Sequence, residues 1–387
     1  MTALAVVTHR GAARWAQGHP WIFRSEVRER PSTAAGAVLV QDPHGVRLGW
    51  ALWSPASEIS LRLLDRDANA RIDGAWWEAR IGAALARRAP LEGLTNAYRV
   101  VHGEGDYLPS LVIDRYDQWV VLQLLSAGLE AFRAEIVAAV DRVLRPAGIL
   151  ARHDVSVRAR EGLPTAVELL AGEVPETIEV HEHGVRYLAA PREGQKTGAF
   201  LDQREHRVLI GALARGRALD CFSYHGSFAL HLAGRASEVT AVDISAAALA
   251  RVDAHAARNG FTNIRAVEAD VFEYLAAQER AGARFDTIVV DPPAFAKHKA
   301  SVPAALRGYH EINRRAMRLL APGGVLLTAS CSFHVTKPLF WEMLQRAASE
   351  AGGRLSLRSL TGQGLDHPEL LTVPETGYLK GAVIQRD

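Results

Sequence analysis

The sequence has little cysteine, no long apolar run and no recognisable targeting segment. Its 387 residues include two cysteines, Cys221 and Cys331, too few for a disulfide framework or a four-ligand zinc site. No stretch approaches the roughly 18–20 apolar residues of a membrane-spanning helix. The apolar segment Ala3–Val7 is too short for a signal peptide, and Arg10 follows it. These absences predict a cytoplasmic protein with neither a membrane partner nor a metal centre.

Charge and length set broader limits. The formal net charge of +2 is mildly basic, which permits a nucleic-acid partner without pointing to one. A chain of 387 residues exceeds the roughly 250–300 residues at which single cores stop growing. We therefore expect two or three domains.

The first part of the chain has the pattern of a small β-barrel. Three strand-like segments, Val38–Gln41, Leu48–Leu52 and Ile59–Leu63, are separated by turn residues at 42–45 and 54–55. This spacing predicts a barrel over residues 1–72. A helix over Ala75–Ala89 is expected to lead out of it.

Residues 73–190 indicate a small α+β domain. The apolar side chains of Glu130–Leu144 recur with a helical period and fall on one face. The predicted strands around this helix are Leu111–Asp114, Trp119–Leu125, Gly148–Arg152, Ala166–Leu170 and Gly184–Leu188.

Residues 191–387 change to alternating strands and helices. Helices are predicted at Ala246–Asn259 and Tyr309–Leu320. Such alternation favours right-handed βαβ units and a doubly wound, mostly parallel sheet that binds ligands beyond the carboxyl ends of its strands. The five predicted strands are Ala218–Asp220, Val239–Asp243, Ile264–Glu268, Thr287–Asp291 and Gly324–Ala329.

The first three of these strands each deliver an acid. Asp220 precedes a turn that contains Gly226, and Asp243 lies 23 residues after Asp220, where an acid is placed to accept from ribose hydroxyls. Ser245 is free to cap the next helix in place of Asp243. Asp270 fits an adenine amino-group contact or, alternatively, the N-cap of a helix over Val271–Gln278.

The fourth and fifth strands end in a different chemistry. Asp291 opens the segment Asp291-Pro292-Pro293-Ala294-Phe295, whose prolines stiffen the turn and leave it without N–H groups. This pattern is typical of a loop that grips a planar amine or base. Cys331 follows the fifth strand and is a candidate nucleophile, whereas Cys221 is expected to be a small buried apolar residue.

A thiol beside a carboxyl group suits methylation of pyrimidine carbon 5. That carbon is a poor nucleophile until a thiolate adds at C6, and a carboxyl group at N3 can balance the charge that develops. Cys331 and Asp291 fit these two roles as a hypothesis.

The chain resembles the bacterial 23S rRNA cytosine-5 methyltransferases that contain a PUA domain. The resemblance spans nearly the whole chain in order, which makes it more specific than any single motif. The motifs that carry it are His19–Phe23, Gly194–Arg204, Asp220–Phe228, Asp291–Phe295, Arg307–Tyr309, Ser330–Ser332 and Tyr378–Gly381.

The resemblance implies a PUA barrel over residues 1–72, a central α+β domain over 73–190 and a class I methyltransferase domain over 191–387. It also implies S-adenosylmethionine (SAM) as cofactor, Cys331 as the attacking thiol, and 23S rRNA, naked or partly assembled, as substrate. A homodimer is also considered. Two-cysteine RNA cytosine-5 methyltransferases carry a second cysteine where this chain has Ala294, so product release must use another base.

The expected site residues fall into two further groups. The predicted SAM contacts are Lys196, Thr197, Phe200, Gln203, Asp220, Phe222, Ser223, Tyr224, Gly226, Ser227, Asp243, Ile244, Asp270, Val271, Asp291 and Pro292. The predicted substrate contacts are Pro293, Phe295, Lys297, Lys299 and Phe333.

Three alternatives stand beside this interpretation. Methylation of another RNA base or of an amine fits the Asp-Pro-Pro loop but needs no thiol at position 331. An RNA-binding module with an inactive methyltransferase-like domain is disfavoured because Asp243, Asp270 and Asp291 are all present. A dinucleotide-dependent oxidoreductase lacks its glycine fingerprint.

Overall fold

The computed structural model describes residues 3–387, which form two compact units. The N-terminal unit runs to Val180 and also includes Ala189–Leu201 and Leu365–Thr376. The C-terminal unit comprises His181–Leu188, Asp202–Gly364 and Gly377–Asp387. Within residues 3–387, no helix combines the length and apolar character needed to cross a membrane.

The first sheet of the N-terminal unit has six strands in the order β2-β6-β5-β4-β1-β3. Its core contains the fully buried Trp15, Ile22 and Leu61. The three predicted strands are confirmed as β4, β5 and β6, whereas the three- and four-residue strands β1–β3 were not predicted. The elements are β1 (Leu4–Val7), α1 (His9–Ala16), β2 (Trp21–Phe23), β3 (Val27–Glu29), β4 (Gly36–Gln41), β5 (Arg47–Trp53) and β6 (Ile59–Asp65).

The second sheet of this unit has five strands in the order β11-β10-β9-β8-β7. Helices α2 and α4 cover it, with Trp77 and Ile136 in the shared core. Its elements are α2 (Gly74–Ala86), β7 (Ala97–His102), β8 (Leu111–Tyr116), β9 (Trp119–Leu124), α3 (Ala127–Glu130), α4 (Arg133–Leu144), β10 (Gly148–Arg152), α5 (Ser156–Arg160) and β11 (Val167–Gly172).

The prediction of one continuous helix over Glu130–Leu144 was wrong. The chain forms α3, capped by Ser126, and then α4, which begins only after Phe132. Phe132 has φ −107° and ψ 17°, outside the helical region, and its ring lies 5.4 Å from that of Trp77. Packing of this ring in the core therefore coincides with the break in the helix.

The remaining elements include a two-stranded sheet of β12 (Ile178–Glu182) and β13 (Val185–Ala189). The C-terminal unit then carries a seven-stranded sheet and six helices within the described residues. These are α6 (Arg204–Leu213), β14 (Arg217–Cys221), α7 (Ser227–Ala233), β15 (Glu238–Asp243), α8 (Ala246–Asn259), β16 (Ile264–Glu268), α9 (Val271–Arg280), β17 (Phe285–Val290), α10 (Val302–Leu319), β18 (Leu320–Ser330), α11 (Lys337–Ala351), β19 (Leu355–Gly362) and β20 (Lys380–Arg386).

The order of this sheet is β16-β15-β14-β17-β18-β20-β19. Its first five strands are parallel, which confirms the predicted doubly wound sheet. Strand β20 lies antiparallel between β18 and β19, an insertion that was not predicted. The direction of winding reverses between β14 and β17, so a ligand site is expected at the carboxyl ends of these strands.

Helix α10 starts earlier than its predicted beginning at Tyr309. It begins at Val302, where Pro303 occupies the first turn without costing a hydrogen bond. Its buried face continues through Ala305, Tyr309 and Ile312 at helical spacing. The proline had obscured this first part of the helix.

A buried ion cluster anchors α6 in the C-terminal unit. The Glu182 carboxylate, fully buried, accepts two hydrogen bonds from Arg207, at 2.6 and 2.7 Å, and lies 3.0 Å from His231 Nε2. Burial opposes ionisation of Glu182, but the Arg207 guanidinium and His231 hold the pKa of that carboxyl well below its ordinary value.

We expect the Glu182→Gln variant to lose about 3–5 kcal/mol of unfolding free energy, because Arg207 would keep its buried charge and lose the Glu182 carboxylate that faces it. Urea unfolding at neutral pH measures this loss. The matched control is Glu238→Gln, which removes the partner of Arg217 in a pair 3.8 Å apart and about half exposed. The control should change stability by no more than about 0.5 kcal/mol. Equal losses of stability in the two variants would contradict the assignment of Glu182 as the buried partner of Arg207.

Candidate active site

The turn after β14 has an unusual backbone. Phe222 and Tyr224 have positive φ angles of 62° and 51°, and Gly226 has φ 85°. A Cβ at Gly226 would lie 3.2 Å from the Val252 side chain, so this glycine combines a left-handed conformation with close packing. The predicted glycine turn is confirmed, and two further residues share its strained conformation.

Asp220 lies fully buried at this turn. Its Oδ2 accepts a hydrogen bond of 2.9 Å from the N–H of Ala229. Asp220 Oδ1 and the buried Ser223 Oγ have no hydrogen-bond partner among residues 3–387. Burial raises the pKa of the Asp220 carboxyl well above its ordinary value, and the charges of Asp291 and Asp243 add to this effect. The turn therefore offers unused polar atoms to a ligand.

Asp243 fixes the geometry of the same turn from the end of β15. Its Oδ2 accepts from the N–H of Tyr224 at 2.8 Å, and its Oδ1 accepts from the N–H of Ser245 at 2.9 Å. Ser245 caps α8, as predicted. The side chain of Ile244 is exposed at this position (71%) and presents an apolar surface beside the carboxylate.

Asp270 caps α9 by accepting from the N–H of Glu273 at 3.1 Å. The capping alternative is therefore confirmed, and the adenine contact of Asp270 stays a prediction. The next residue, Val271, is buried in the core of the unit.

Asp291 follows β17 and is held by a chain of polar side chains. Gln203 donates its amide N–H to Asp291 Oδ1 at 2.7 Å, and Gln203 Oε1 lies within hydrogen-bond distance of His206 Nδ1. His206 Nε2 lies 2.7 Å from the Thr361 hydroxyl. Burial lowers the pKa of His206 to about 4, so the ring is neutral at pH 7 and its Nδ1–H donates to Gln203.

This series of hydrogen bonds gives Gln203 a direct structural role that the sequence did not indicate. Both polar ends of its amide have protein partners, so its predicted contact with SAM stays a prediction. His206 and Thr361 were not among the predicted site residues. His206 lies next to a quoted motif, but its link to Thr361 crosses 155 positions of the sequence.

Cys331 follows β18 and is partly buried. Strands β17 and β18 pair in parallel with Val290 opposite Thr328, so Asp291 and Cys331 lie at neighbouring strand ends. The Oγ of Ser332, the residue after Cys331, accepts from the N–H of Ala296 at 3.1 Å. This bond connects the loop after β18 to the loop that begins at Asp291.

The predicted substrate contacts separate into packed and exposed side chains. Phe295 packs in the core region, with its ring 4.7 Å from Tyr309 and 6.0 Å from Phe272. Phe333 is 53% exposed. The other predicted positions in the Asp291 loop comprise exposed Pro293, Lys297 and Lys299 and buried Pro292.

Three predicted SAM contacts lie in the N-terminal unit. The buried Thr197 hydroxyl donates to Asp114 Oδ2 at 2.6 Å and lies 3.0 Å from the Tyr116 hydroxyl. Lys196 Nζ lies 4.9 Å from the ring centre of Phe200. The contacts of Lys196, Thr197 and Phe200 with SAM stay predictions.

The described site suits a cationic organic ligand. Asp220 lies one residue before the end of β14, Asp243 ends β15 and Asp291 follows β17, and the repulsion among these acids contributes to the raised pKa of Asp220. A ligand with sulfonium and ammonium groups, such as SAM, would relieve this repulsion. Within residues 3–387, no group of three or more His, Cys, Asp or Glu side chains is arranged to hold a metal ion.

Comparison with known proteins gives a consistent result. Residues 98–362 match the S-adenosylmethionine-dependent methyltransferase family, and residues 5–66 match a PUA-like domain. Two solved structures share the fold at 23% identity over the full length of both chains. One, from Streptococcus mutans, is assigned as a SAM-dependent methyltransferase and has a TM-score of 0.83. The other, assigned as a methyltransferase and solved with S-adenosylhomocysteine (SAH), has a TM-score of 0.85.

Other relatives have a higher sequence identity to this chain than these two solved structures. Ribosomal RNA large subunit methyltransferase I of Klebsiella pneumoniae strain 342 is 40% identical over 373 residues, covering 94% of this chain and 93% of that protein. The protein of the same name from Tolumonas auensis is 39% identical over 378 residues, covering 95% of each. The chain therefore belongs to the ribosomal RNA large subunit methyltransferase I family of SAM-dependent methyltransferases.

Proposed function

We propose that the chain methylates carbon 5 of a cytosine in 23S rRNA through a covalent bond between Cys331 and cytosine C6. The observation that carries this proposal is the placement of Cys331 and Asp291 at neighbouring strand ends, joined through Ser332. The relatives' name, large-subunit rRNA methyltransferase, supports the choice of RNA.

Cys331 and Asp291 divide the work in the first step. The Cys331 thiolate adds to C6, forming the C–S bond, while the C5=C6 electron pair becomes available at C5. Asp291 takes up a proton from solvent before this step, donates it to N3 and so balances the negative charge that would otherwise build up on the ring. Gln203 donates a hydrogen bond to Asp291 Oδ1 and so helps to hold the carboxyl group in place.

With SAM bound, C5 would take up the methyl group and SAH would leave. The next step restores the ring, and N3 returns its proton to Asp291. A base removes the C5 proton, the electron pair re-forms the C5=C6 bond, and the C–S bond breaks to return the Cys331 thiolate. Ala294 occupies the position at which two-cysteine enzymes carry a second thiol. One cysteine at the strand end therefore serves as both nucleophile and leaving group.

The turn after β14 and the end of β15 are proposed to hold SAM, which when bound supplies an electrophilic methyl group. Asp243 fixes the turn and faces the ribose, Ile244 offers an apolar surface to adenine, and Asp220 and Ser223 offer unused polar atoms. The other proposed contacts are Lys196, Thr197, Phe200, Gln203, Phe222, Tyr224, Gly226, Ser227, Asp270, Val271, Asp291 and Pro292.

The proposed RNA contacts surround the Asp291 loop. The target cytosine must leave its stack to reach Cys331, and the exposed Phe333 can stack on it or on a neighbouring base. Lys297 and Lys299 are exposed and placed for phosphate contact. Pro293 is also exposed there, whereas Phe295, which packs against Tyr309, is proposed to support the loop from below.

The PUA-like domain is proposed to add a second RNA surface. Arginines near its first strands already have acidic partners: Glu26 lies 3.2 Å from Arg10 and 3.1 Å from Arg14. These pairs reduce the charge available for phosphate. The homodimer, the cytoplasmic location and the domain boundaries at 72 and 190 stay predictions.

The identity of the methylated nucleoside tests the proposal directly. We expect 23S rRNA that lacks this modification, incubated with the protein and methyl-labelled SAM, to yield 5-methylcytidine after complete digestion. Mass spectrometry of the nucleosides distinguishes this product from other methylated bases. Label on another base, or on a protein amine and not on RNA, would replace the proposal with the amine or other-base alternative.

We expect Cys331→Ser to lower the methylation rate on the order of a thousandfold or more, because a serine hydroxyl is a far weaker nucleophile toward C6. SAH binding should persist. Cys221→Ala is the matched control, since Cys221 is a fully buried core residue, and its rate should stay within about threefold of wild type. A Cys331→Ser variant with full turnover would exclude covalent catalysis.

We expect Asp243→Asn to weaken SAH binding about tenfold or more. The asparagine would turn its NH2 group toward the backbone N–H of either Tyr224 or Ser245, so one of the two hydrogen bonds that fix the turn would be lost. Isothermal titration calorimetry measures the affinity. Asp253→Asn is the control, an exposed acid on α8, and should bind SAH like wild type. Unchanged affinity in Asp243→Asn would remove Asp243 from the proposed SAM site.

A further inference from the structure

Lys380 is a buried lysine that has no role in the reaction steps proposed above. Its residue is 5% exposed, although lysine side chains are seldom buried without a specific partner. It begins β20, the antiparallel strand inserted beside β18, and pairs with Ser330 in the register of the two strands. Because Ser330 directly precedes Cys331, this register brings Lys380 to the strand end that carries the thiol.

The Lys380 ammonium is held in place by backbone carbonyl groups. Its Nζ donates to the carbonyl of Ser332 at 2.7 Å and to the carbonyl of Tyr378 at 3.0 Å. Ser332 lies one position after Cys331, and Tyr378 lies two positions before Lys380. Two fixed carbonyls leave the third N–H of the ammonium for another acceptor.

The electrostatic surroundings link Lys380 to Cys331. Burial lowers the pKa of Lys380 to about 8, the Cys331 sulfur opposes this shift, and the charge of Lys337 adds to it. Tyr309 is a further titratable group nearby, and its hydroxyl lies 2.9 Å from Ser332 Oγ. Burial raises the pKa of Tyr309, and the charge of Cys331 adds to this rise. Lys380 is thus mostly charged at neutral pH and loses its charge as the pH rises above about 8.

A thiolate at this strand end needs a cation. Asp291 follows β17, which pairs with β18, and a negative charge on Asp291 disfavours formation of another anion beside it. A neighbouring ammonium has the opposite effect, since it stabilises a thiolate relative to a thiol.

We propose that the Lys380 ammonium stabilises the thiolate form of Cys331 and so acts through that residue in catalysis. Lys380 is a positioning residue and keeps its proton throughout; the thiol proton leaves to solvent before the base is attacked. The cation then favours the reactive form of sulfur before it adds to C6 and again when the C–S bond breaks. The role of Lys380 in catalysis rests on the proposed function, but its effect on the ionisation of the Cys331 thiol does not.

Alkylation of Cys331 by iodoacetamide, measured against pH without RNA, tests this proposal. Peptide mass spectrometry assigns the modified thiol, and the buried Cys221 is followed separately. We expect Lys380→Gln to lower the Cys331 alkylation rate about tenfold at pH 7, which corresponds to a rise of about one pKa unit in the thiol. The two proteins should react at similar rates above about pH 10, where both thiols are ionised.

Matched variants separate charge from structure. Lys380→Gln keeps a hydrogen-bond donor for the carbonyls and removes the charge, whereas Lys380→Arg keeps the charge and should restore most of the wild-type profile. Arg358→Gln removes an exposed cation from the neighbouring strand β19 and should change the rate less than twofold. SAH binding reports whether each variant is folded.

A wild-type pH profile in folded Lys380→Gln would overturn the proposal. So would equal losses in Lys380→Gln and Lys380→Arg, because a structural defect does not depend on charge. If Lys380→Gln does not fold, a wild-type thiol pKa that stays at or above about 8.5, the ordinary value, would overturn it. Failure of the proposed function is separate, since it would appear as a labelled nucleoside other than 5-methylcytidine while the thiol profile still shifts.

Discussion

The parallel pairing of β17 with β18 is the constraint on which the proposed chemistry depends. Val290, the last residue of β17, lies opposite Thr328, two residues before the end of β18, so Asp291 and Cys331 follow at the same edge of the sheet. A shift of one residue would turn the side chains of either strand to the other face. Ser332 strengthens this arrangement because its hydroxyl bonds the loop that begins at Asp291.

The same edge has a marked electrostatic character. The acidic side chains of Asp220, Asp243 and Asp291 favour a cationic cofactor, but a negative charge on Asp291 also makes a thiolate harder to form at the neighbouring strand end. We propose that Lys380, on the inserted strand β20, offsets this effect, because its ammonium donates to the carbonyl of Ser332, the residue after Cys331. The antiparallel strand β20 is therefore proposed to have a chemical role as well as a structural one.

Local patterns predicted the sheet well and the connections between its parts poorly. The alternation of apolar strands and helices located the five parallel strands, and α8 matches its predicted bounds of Ala246–Asn259. Two helix starts were misplaced: Pro303 obscured the beginning of α10 although a proline fits the first turn, and α4 begins only after Phe132, whose ring packs in the core. The supports of Asp291 were not predictable in this way, since Gln203 lies 88 positions before it. Periodicity describes neighbours along the chain, whereas this bond exists only once the sheet has formed.

Trapping of the covalent intermediate tests the central claim most directly. A 23S rRNA fragment in which 5-fluorocytidine replaces cytidine cannot lose the C5 substituent as a proton, so the bond to sulfur should persist after methyl transfer. The account predicts a stable protein–RNA adduct that requires SAM and maps to Cys331 by peptide mass spectrometry. Methyl transfer to the fragment without an adduct, or an adduct at another residue, would contradict it.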